Sequence, residues 1–301
     1  MTDSVPTAQS NSNFLTDKEV FDFQRWNSQL SVFRNQYIKG DPYPHVILDN
    51  FLNTETLQRA LNEFPSLESS GWINYVHVNE RKYGRNKSEA FPSVLKKIFE
   101  VLNSQPFVEF LSCLSGIQGL FADLSLEGGG LHQSGRDGFL NIHADFTVHP
   151  HHRNWQRRIN VLIYLNKDWK DEYNGHLELW DREMKNCVHK IAPVFNRCVI
   201  FNTDADAFHG HPKPLQCPQG TTRKSIALYY FTVSNSPLVQ STEYRARPGD
   251  GAKGILIYLD KMFLRFYDQF KRVAKIDDTF ASNALQTFDR WKKKLNPKKK
   301  D

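Results

Sequence analysis

Between positions 120 and 234 the chain consists of short apolar or alternating runs broken by clusters of Gly, Asn and Asp: residues 121–126, 139–146, 158–165, 176–180, 198–201 and 225–233. Runs this short and this often punctuated are strands rather than helices, and a series of them folds as a sandwich or barrel of the jelly-roll type. An aromatic content of 13% suits such a core. One of these runs, Phe139-Leu-Asn-Ile-His-Ala-Asp-Phe146, sets an imidazole two residues before a carboxylate. Alternate side chains of a strand share a face, so His143 and Asp145 point the same way. The pair has two readings. It is either a half-exposed His hydrogen-bonded to an Asp, or two corners of a metal site that needs a distant second His, with a cation beyond it for an acidic co-substrate. His209 and Arg223 stand in those places.

The flanks are helical. Thr16-Asp-Lys-Glu19 resembles a capping box, and Val20, Phe21, Phe23, Trp26, Leu30 and Phe33 recur at helical spacing, which predicts one amphipathic helix. Residues 43–51 are expected as a strand, 53–61 as the following helix, and 92–114 as a helical region with a break at Pro106. After Asn235 the pattern loses its strands. Leu256, Leu259, Phe263, Phe266 and Phe270 predict a helical extension, with a shorter helix over 284–295. The expected architecture is therefore α+β with a mainly β core: a disordered tail over 1–15, one domain over 16–240, and a helical extension with a basic tail over 241–301.

No apolar run is long enough to span a bilayer, and the first ten residues lack the basic and apolar parts of a signal peptide. The four cysteines, Cys113, Cys187, Cys198 and Cys217, show no C-x-x-C and no framework spacing, so they are expected as reduced thiols. A soluble, cytoplasmic protein without membrane contact is the expectation. The formal charge of +6 sits in the last twelve residues, where Arg290, Lys292, Lys293, Lys294, Lys298, Lys299 and Lys300 face one acid, Asp301. Such a tail is either a solvated end or a contact for nucleic acid.

Gly128-Gly-Gly-Leu-His-Gln-Ser-Gly-Arg-Asp-Gly138 leads into the His143 run. It lacks a P-loop pattern and a following helix, so it is expected as a special loop approaching the site, with His132, Gln133 and Arg136 available to a ligand. His132 is equally open to a surface role. His149-Pro-His-His152 is expected on a solvent-facing loop or a cleft rim. His209 and His211 lie two apart and share a face, so spacing alone leaves both open as the distal ligand.

The ordered set Phe139–Phe146, Tyr164-Leu-Asn-Lys-Asp-Trp169, Asn174-Gly-His-Leu-Glu-Leu-Trp180, Phe208-His-Gly-His-Pro212 and Thr222-Arg-Lys-Ser225 resembles the prolyl 4-hydroxylase-type Fe(II)/2-oxoglutarate dioxygenases, in particular their bacterial-looking branch. The resemblance covers residues 43–234 and implies a double-stranded β-helix (jelly roll). It implies iron held by His143, Asp145 and a distal His, and the count from Phe195-Asn-Arg197 to that ligand lands on His209. It further implies that Arg223, with Tyr164 and Ser225, binds the far carboxylate of 2-oxoglutarate, where a guanidinium fork pairs in a way that an ammonium cannot. Lys224 then points to the opposite face. O2, and ascorbate as accompanying reductant, complete the implied cofactors. Gln133 stands where many relatives carry a Tyr, and the segment 212–218 lengthens the step from His209 to Arg223.

The implied function is hydroxylation of an unactivated C–H bond of a prolyl or other amino-acid residue, with release of succinate and CO2. The alternatives are a small-molecule or natural-product hydroxylase of the same family, a cupin-like metal-binding protein without O2 chemistry, and a protein recruited to nucleic acid by its basic tail.

Overall fold

The computed structural model describes residues 15–251, together with Gly254 and Ile257. The expected N-terminal tail, save its last residue, the expected helix over 255–273, save Ile257, the expected helix over 284–295 and the basic tail lie outside the described residues. The described elements are α1 (Asp17–Val20), α2 (Phe23–Ser28), α3 (Leu30–Ile38), β1 (His45–Asp49), α4 (Thr54–Asn62), β2 (Ile73–His77), β3 (Glu80–Arg85), α5 (Ser93–Leu102), α6 (Gln105–Ser115), β4 (Phe121–Ala122), β5 (Gly130–Ser134), β6 (Phe139–Ala144), β7 (Trp155–Tyr164), β8 (Leu177–Trp180), β9 (Cys187–Ile191), β10 (Arg197–Asn202), β11 (His209–His211), β12 (Arg223–Val233) and β13 (Glu243–Tyr244).

The strands form one curled sheet in the order β1-β10-β7-β12-β5-β3-β6-β11-β8-β9, with β2 added to β3, β4 to β12 and β13 to β6. All of these pairings are antiparallel. The architecture is the expected α+β double-stranded β-helix. One face packs on the helices: Leu131, Ile159, Val161, Ile163, Ile226 and Leu228 alternate inward along β5, β7 and β12 against α1–α6. The residues between them face the barrel interior, where Tyr164, Leu177, Leu179, Val199 and Phe201 form a second apolar cluster. No helix of the described residues is long and apolar enough to cross a membrane.

Several expectations change. The single N-terminal helix is three short ones. The capping box of α1 is present, but Phe21 is extended and Asp22 caps α2 by accepting a hydrogen bond from Arg25 N at 3.1 Å. A second cap restarts a helix that apolar spacing alone would continue. Over 92–114 the break falls at Asn103-Ser104, and Pro106 sits in the first turn of α6, where its missing N–H costs nothing. The run 121–126 is a strand for only two residues. The glycine-rich approach is partly strand: β5 is stitched between β12 and β3. Strands also continue after Asn235, because β13 pairs with β6, Tyr244 lying opposite His143.

Two irregularities decide which side chains reach the interior. Along β6 and β11, His143 faces His209 but Leu140 faces His211, so β6 carries one extra residue between them. Along β7 and β12, Asn160 faces Tyr229 but Arg157 faces Phe231, so Arg158 is extra. Each β-bulge inverts the parity of what precedes it, bringing Leu140 and Arg157 to the same face as His143 and Asn160.

Candidate active site

His143 and His209 are direct cross-strand partners on β6 and β11. Their rings lie 4.5 Å apart between centroids, with Phe201 packed edge-on to His209 and Tyr244 beside His143. His143 Nδ1 lies 2.9 Å from Asn141 O and His209 Nδ1 lies 2.9 Å from Ala207 O. A carbonyl oxygen only accepts, so Nδ1 carries the proton on both rings and each Nε2 presents its lone pair. Both lone pairs point at one carboxylate: His143 Nε2 is 3.4 Å from Asp145 Oδ1, and His209 Nε2 is 3.4 Å from Asp145 Oδ2. One ligand atom from each residue lies within 4.8 Å of the others. Three acceptors turned towards one another repel, and a divalent cation between them removes that repulsion. The donor set, two neutral imidazoles and one carboxylate, fits Fe(II) with positions left open. His211 is not part of this cluster among the described residues.

The carboxylate is itself held. Arg157 Nη2 donates to Asp145 Oδ2 at 3.0 Å, and Asn160 Nδ2 donates to the same oxygen at 2.7 Å. Arg157 also donates through Nε and Nη2 to Asn160 Oδ1 at 3.0 and 2.7 Å. Its guanidinium lies 3.4 Å from the ring centre of Tyr229 and 4.6 Å from that of Phe146. Burial alone would raise the Asp145 carboxyl, but Arg157, His209 and His143 outweigh it and hold it well below the usual carboxylate range.

Neither Arg157 nor Asn160 is among the residues expected at the site. Asn160 shares its strand face with Tyr164 and was open to that inference. Arg157 has the wrong parity and reaches the site only through the bulge at Arg158.

The cluster opens into a pocket of about 630 Å³, mouth included. At its other end Arg223 is buried, and its Nε donates to Gly175 O at 2.8 Å, which orients the fork. No carboxylate of the described residues pairs with it. Tyr164 and Ser225 are register partners facing the same space. The buried Tyr164 hydroxyl has no hydrogen-bond partner among the described residues, so the polar end of the pocket suits an anion.

His132 also lines the pocket, beside Lys82. Gln133 also lines the pocket; its Oε1 accepts from Thr222 Oγ1 at 3.2 Å, and its buried Nε2 has no hydrogen-bond partner among the described residues. Arg136 is exposed, donates to Cys217 O and is not among the residues lining the pocket. Lys224 turns away from Arg223 to Thr222 Oγ1, as strand alternation requires.

The β2–β3 hairpin, unmarked in the sequence analysis, brings Lys82 to the wall, paired with Glu80 at 2.9 Å. Burial alone would raise the Glu80 carboxyl, but Lys82 and His77 hold it below its usual range. His149 does not face solvent. It is buried 3.5 Å from Asp123, while His152 stacks on Trp155 at 3.8 Å.

Burial pushes His209 down to about 4 and His132 down to about 3, and drives His211 well below the usual imidazole range, where Arg223 and Lys82 add to the effect. An unfolded imidazole titrates near 6.5. Below that pH the unfolded chain takes up protons that the folded protein refuses, so stability falls as pH falls. The metal-free protein is expected to lose on the order of 1 kcal/mol per imidazole per pH unit between about pH 6.5 and 5. Asp145, with its lowered pKa, keeps its contribution in this window. Urea midpoints at pH 7.5 and 5 check this, and equal midpoints would contradict the burial of these rings.

Residues 129–231 match the family model described as the 2OG-Fe(II) oxygenase superfamily. Over 197 residues the chain is 24% identical to the prolyl 3-hydroxylase OGFOD1 of Mus musculus, an alignment covering 64% of this chain and 33% of the relative, so the chain spans about a third of that protein's length. Among solved structures it resembles a prolyl hydroxylase from Trichoplax adhaerens, in complex with a hypoxia inducible factor oxygen degradation domain peptide fragment. The TM-score is 0.50 at 22% identity, covering 72% of this chain and 96% of that one. The matched segment carries His143, Asp145, Tyr164, His209, Arg223 and Ser225 together, and over residues 129–231 the chain is similar to the 2OG-Fe(II) oxygenase superfamily, with a prolyl hydroxylase among its relatives.

Proposed function

We propose that the protein is an Fe(II)- and 2-oxoglutarate-dependent dioxygenase that hydroxylates an unactivated C–H bond, releasing succinate and CO2. The observation that carries this reading is one pocket with three convergent acceptors at one end and, at the other, a buried guanidinium that no carboxylate of the described residues neutralises. His143 and His209 would hold the metal through Nε2. Asp145 would do so mainly through Oδ1, because Arg157 and Asn160 engage Oδ2. Arg223, Tyr164 and Ser225 would hold the far carboxylate of 2-oxoglutarate. Bound Fe(II) supplies O2 activation, with one oxygen atom going to succinate and the other to the substrate. The apolar walls at Leu162 and Leu177 keep water from the reacting centre.

Both relatives are named as prolyl hydroxylases, which makes a prolyl residue of a protein the first substrate class to test. The catalytic unit in this proposal is 16–240 with β13 added, and 241–301 is its extension. The four unpaired thiols support a cytoplasmic setting, in which ascorbate serves as reductant.

The test is to mix metal-free protein with Fe(II) and 2-oxoglutarate without oxygen and follow the visible charge-transfer band of a chelated keto acid. His209→Ala is expected to abolish the band. Arg223→Ala is expected to raise the 2-oxoglutarate needed by about 30-fold or more, since removing one partner of a buried charge pair costs about 2–5 kcal/mol. Bound iron without a band in the wild type would sink the proposal and favour a metal-binding protein without O2 chemistry.

A further inference from the structure

We propose that His211 is a third anchor for the far carboxylate of 2-oxoglutarate, donating a hydrogen bond from its imidazole beside Arg223 and Tyr164. This rests on the function proposed above and adds a binding residue to it. His211 lies two positions beyond His209 on β11, on the same face, so its ring stands about 6–7 Å further along the strand from the metal cluster. It is 5% exposed, lines the same pocket as Arg223, and its buried Nδ1 has no hydrogen-bond partner among the described residues.

A buried polar group left unpaired is costly, and native structures leave few of them. Residues lining this one pocket carry three such groups, His211 Nδ1, the Tyr164 hydroxyl and Gln133 Nε2, and the first two lie on the barrel-interior face shared with Arg223. Their neighbour is a guanidinium fixed by Gly175 and, among the described residues, without a counter-ion. Three donor side chains around one space, with no carboxylate among the described residues to meet them, describe a site for a carboxylate. His211 cannot instead serve the metal, because its nitrogens lie outside the cluster formed by His143, Asp145 and His209. An imidazole carries at least one N–H to donate.

The experiment uses the full chain loaded with Fe(II) without oxygen, as wild type, His211→Ala, His211→Asn and Arg223→Ala. Each is titrated with 2-oxoglutarate and with 2-oxopentanoate, which has the same chain length but no far carboxylate. Metal affinity is measured separately. His211→Ala is expected to weaken 2-oxoglutarate about 10- to 100-fold, as for loss of a hydrogen bond to a charged group, and to leave 2-oxopentanoate and metal affinity within about threefold of wild type. His211→Asn, which keeps an N–H donor near the Nδ1 position, is expected to recover most of the loss.

Unchanged 2-oxoglutarate affinity in His211→Ala overturns the proposal, as does an equal loss for both keto acids, which would mark a packing role. If Arg223→Ala weakens binding while His211→Ala does not, only the His211 assignment fails. If the wild type binds metal but no 2-oxoglutarate, the underlying function fails with it.

Discussion

Arg157→Met is expected to lower stability by about 3–5 kcal/mol and metal affinity by about 10- to 100-fold, although Arg157 is not a ligand. The guanidinium is 1% exposed, clamped between Tyr229 and Phe146, and is the only cation in direct contact with Asp145 among the described residues. Removing it leaves a buried carboxylate with one neutral donor, Asn160, and burial then drives its pKa upward. A protonated Asp145 is a poor metal ligand, so metal binding should also become dependent on pH above the range where the wild type is insensitive. Arg157→Lys is expected to rescue only in part, because a single ammonium cannot reproduce the fork that spans Asp145 and Asn160. Denaturant midpoints with and without metal, and metal titrations at pH 6 and 8, measure both effects. Wild-type metal affinity in Arg157→Met would remove the proposed hold on Asp145.

Gly210→Ala should be nearly as damaging. A Cβ at Gly210 would stand 2.8 Å from both Leu140 O and Asn141 O, main-chain atoms of the bulged part of β6 that cannot swing aside as a side chain could. Asn141 O is also the acceptor that fixes the His143 ring. The methyl group therefore forces apart the two strands that carry His143 and His209, and shifts the carbonyl that sets the tautomer of one of them. A destabilisation of about 1–3 kcal/mol from overpacking is expected, together with at least a tenfold loss of metal affinity. Gly135→Ala is the matched control, since its Cβ would meet only ordinary contacts at 3.7 and 3.9 Å and should change stability by less than about 0.5 kcal/mol. Equal behaviour of the two variants would show that the close approach at Gly210 is unimportant.

The parts of the site that were legible in the sequence follow from strand alternation and chain order. His143 with Asp145, and Arg223 with Ser225, each obey period two, and the family resemblance supplied the pairing between distant strands. Arg157 was hidden because its parity is wrong until a bulge corrects it, and no residue type marks that bulge. β11 has three residues, two of them His, and carries no strand signal of its own. β5 looked like a loop because of its glycines. Gly130 takes φ 95° there and approaches Arg85 O so closely that a Cβ would lie 2.2 Å away, so the glycine serves strand packing rather than a turn. His149 was misjudged because its partner, Asp123, lies on a distant segment, and a contact of that kind leaves no local pattern.

The direct pairing of His143 with His209 also bears on how the molecule assembles. The two positions are 66 apart in the chain (209 minus 143), and everything between them, β7 to β10, belongs to other parts of the same sheet. Closing so long a loop carries a large entropic cost, and contacts of such wide separation form late in folding. Metal therefore has no site on the nascent or unfolded chain around which to nucleate. It should speed folding little and slow unfolding strongly, so that a refolding and unfolding series with and without a divalent ion would shift almost entirely on the unfolding limb.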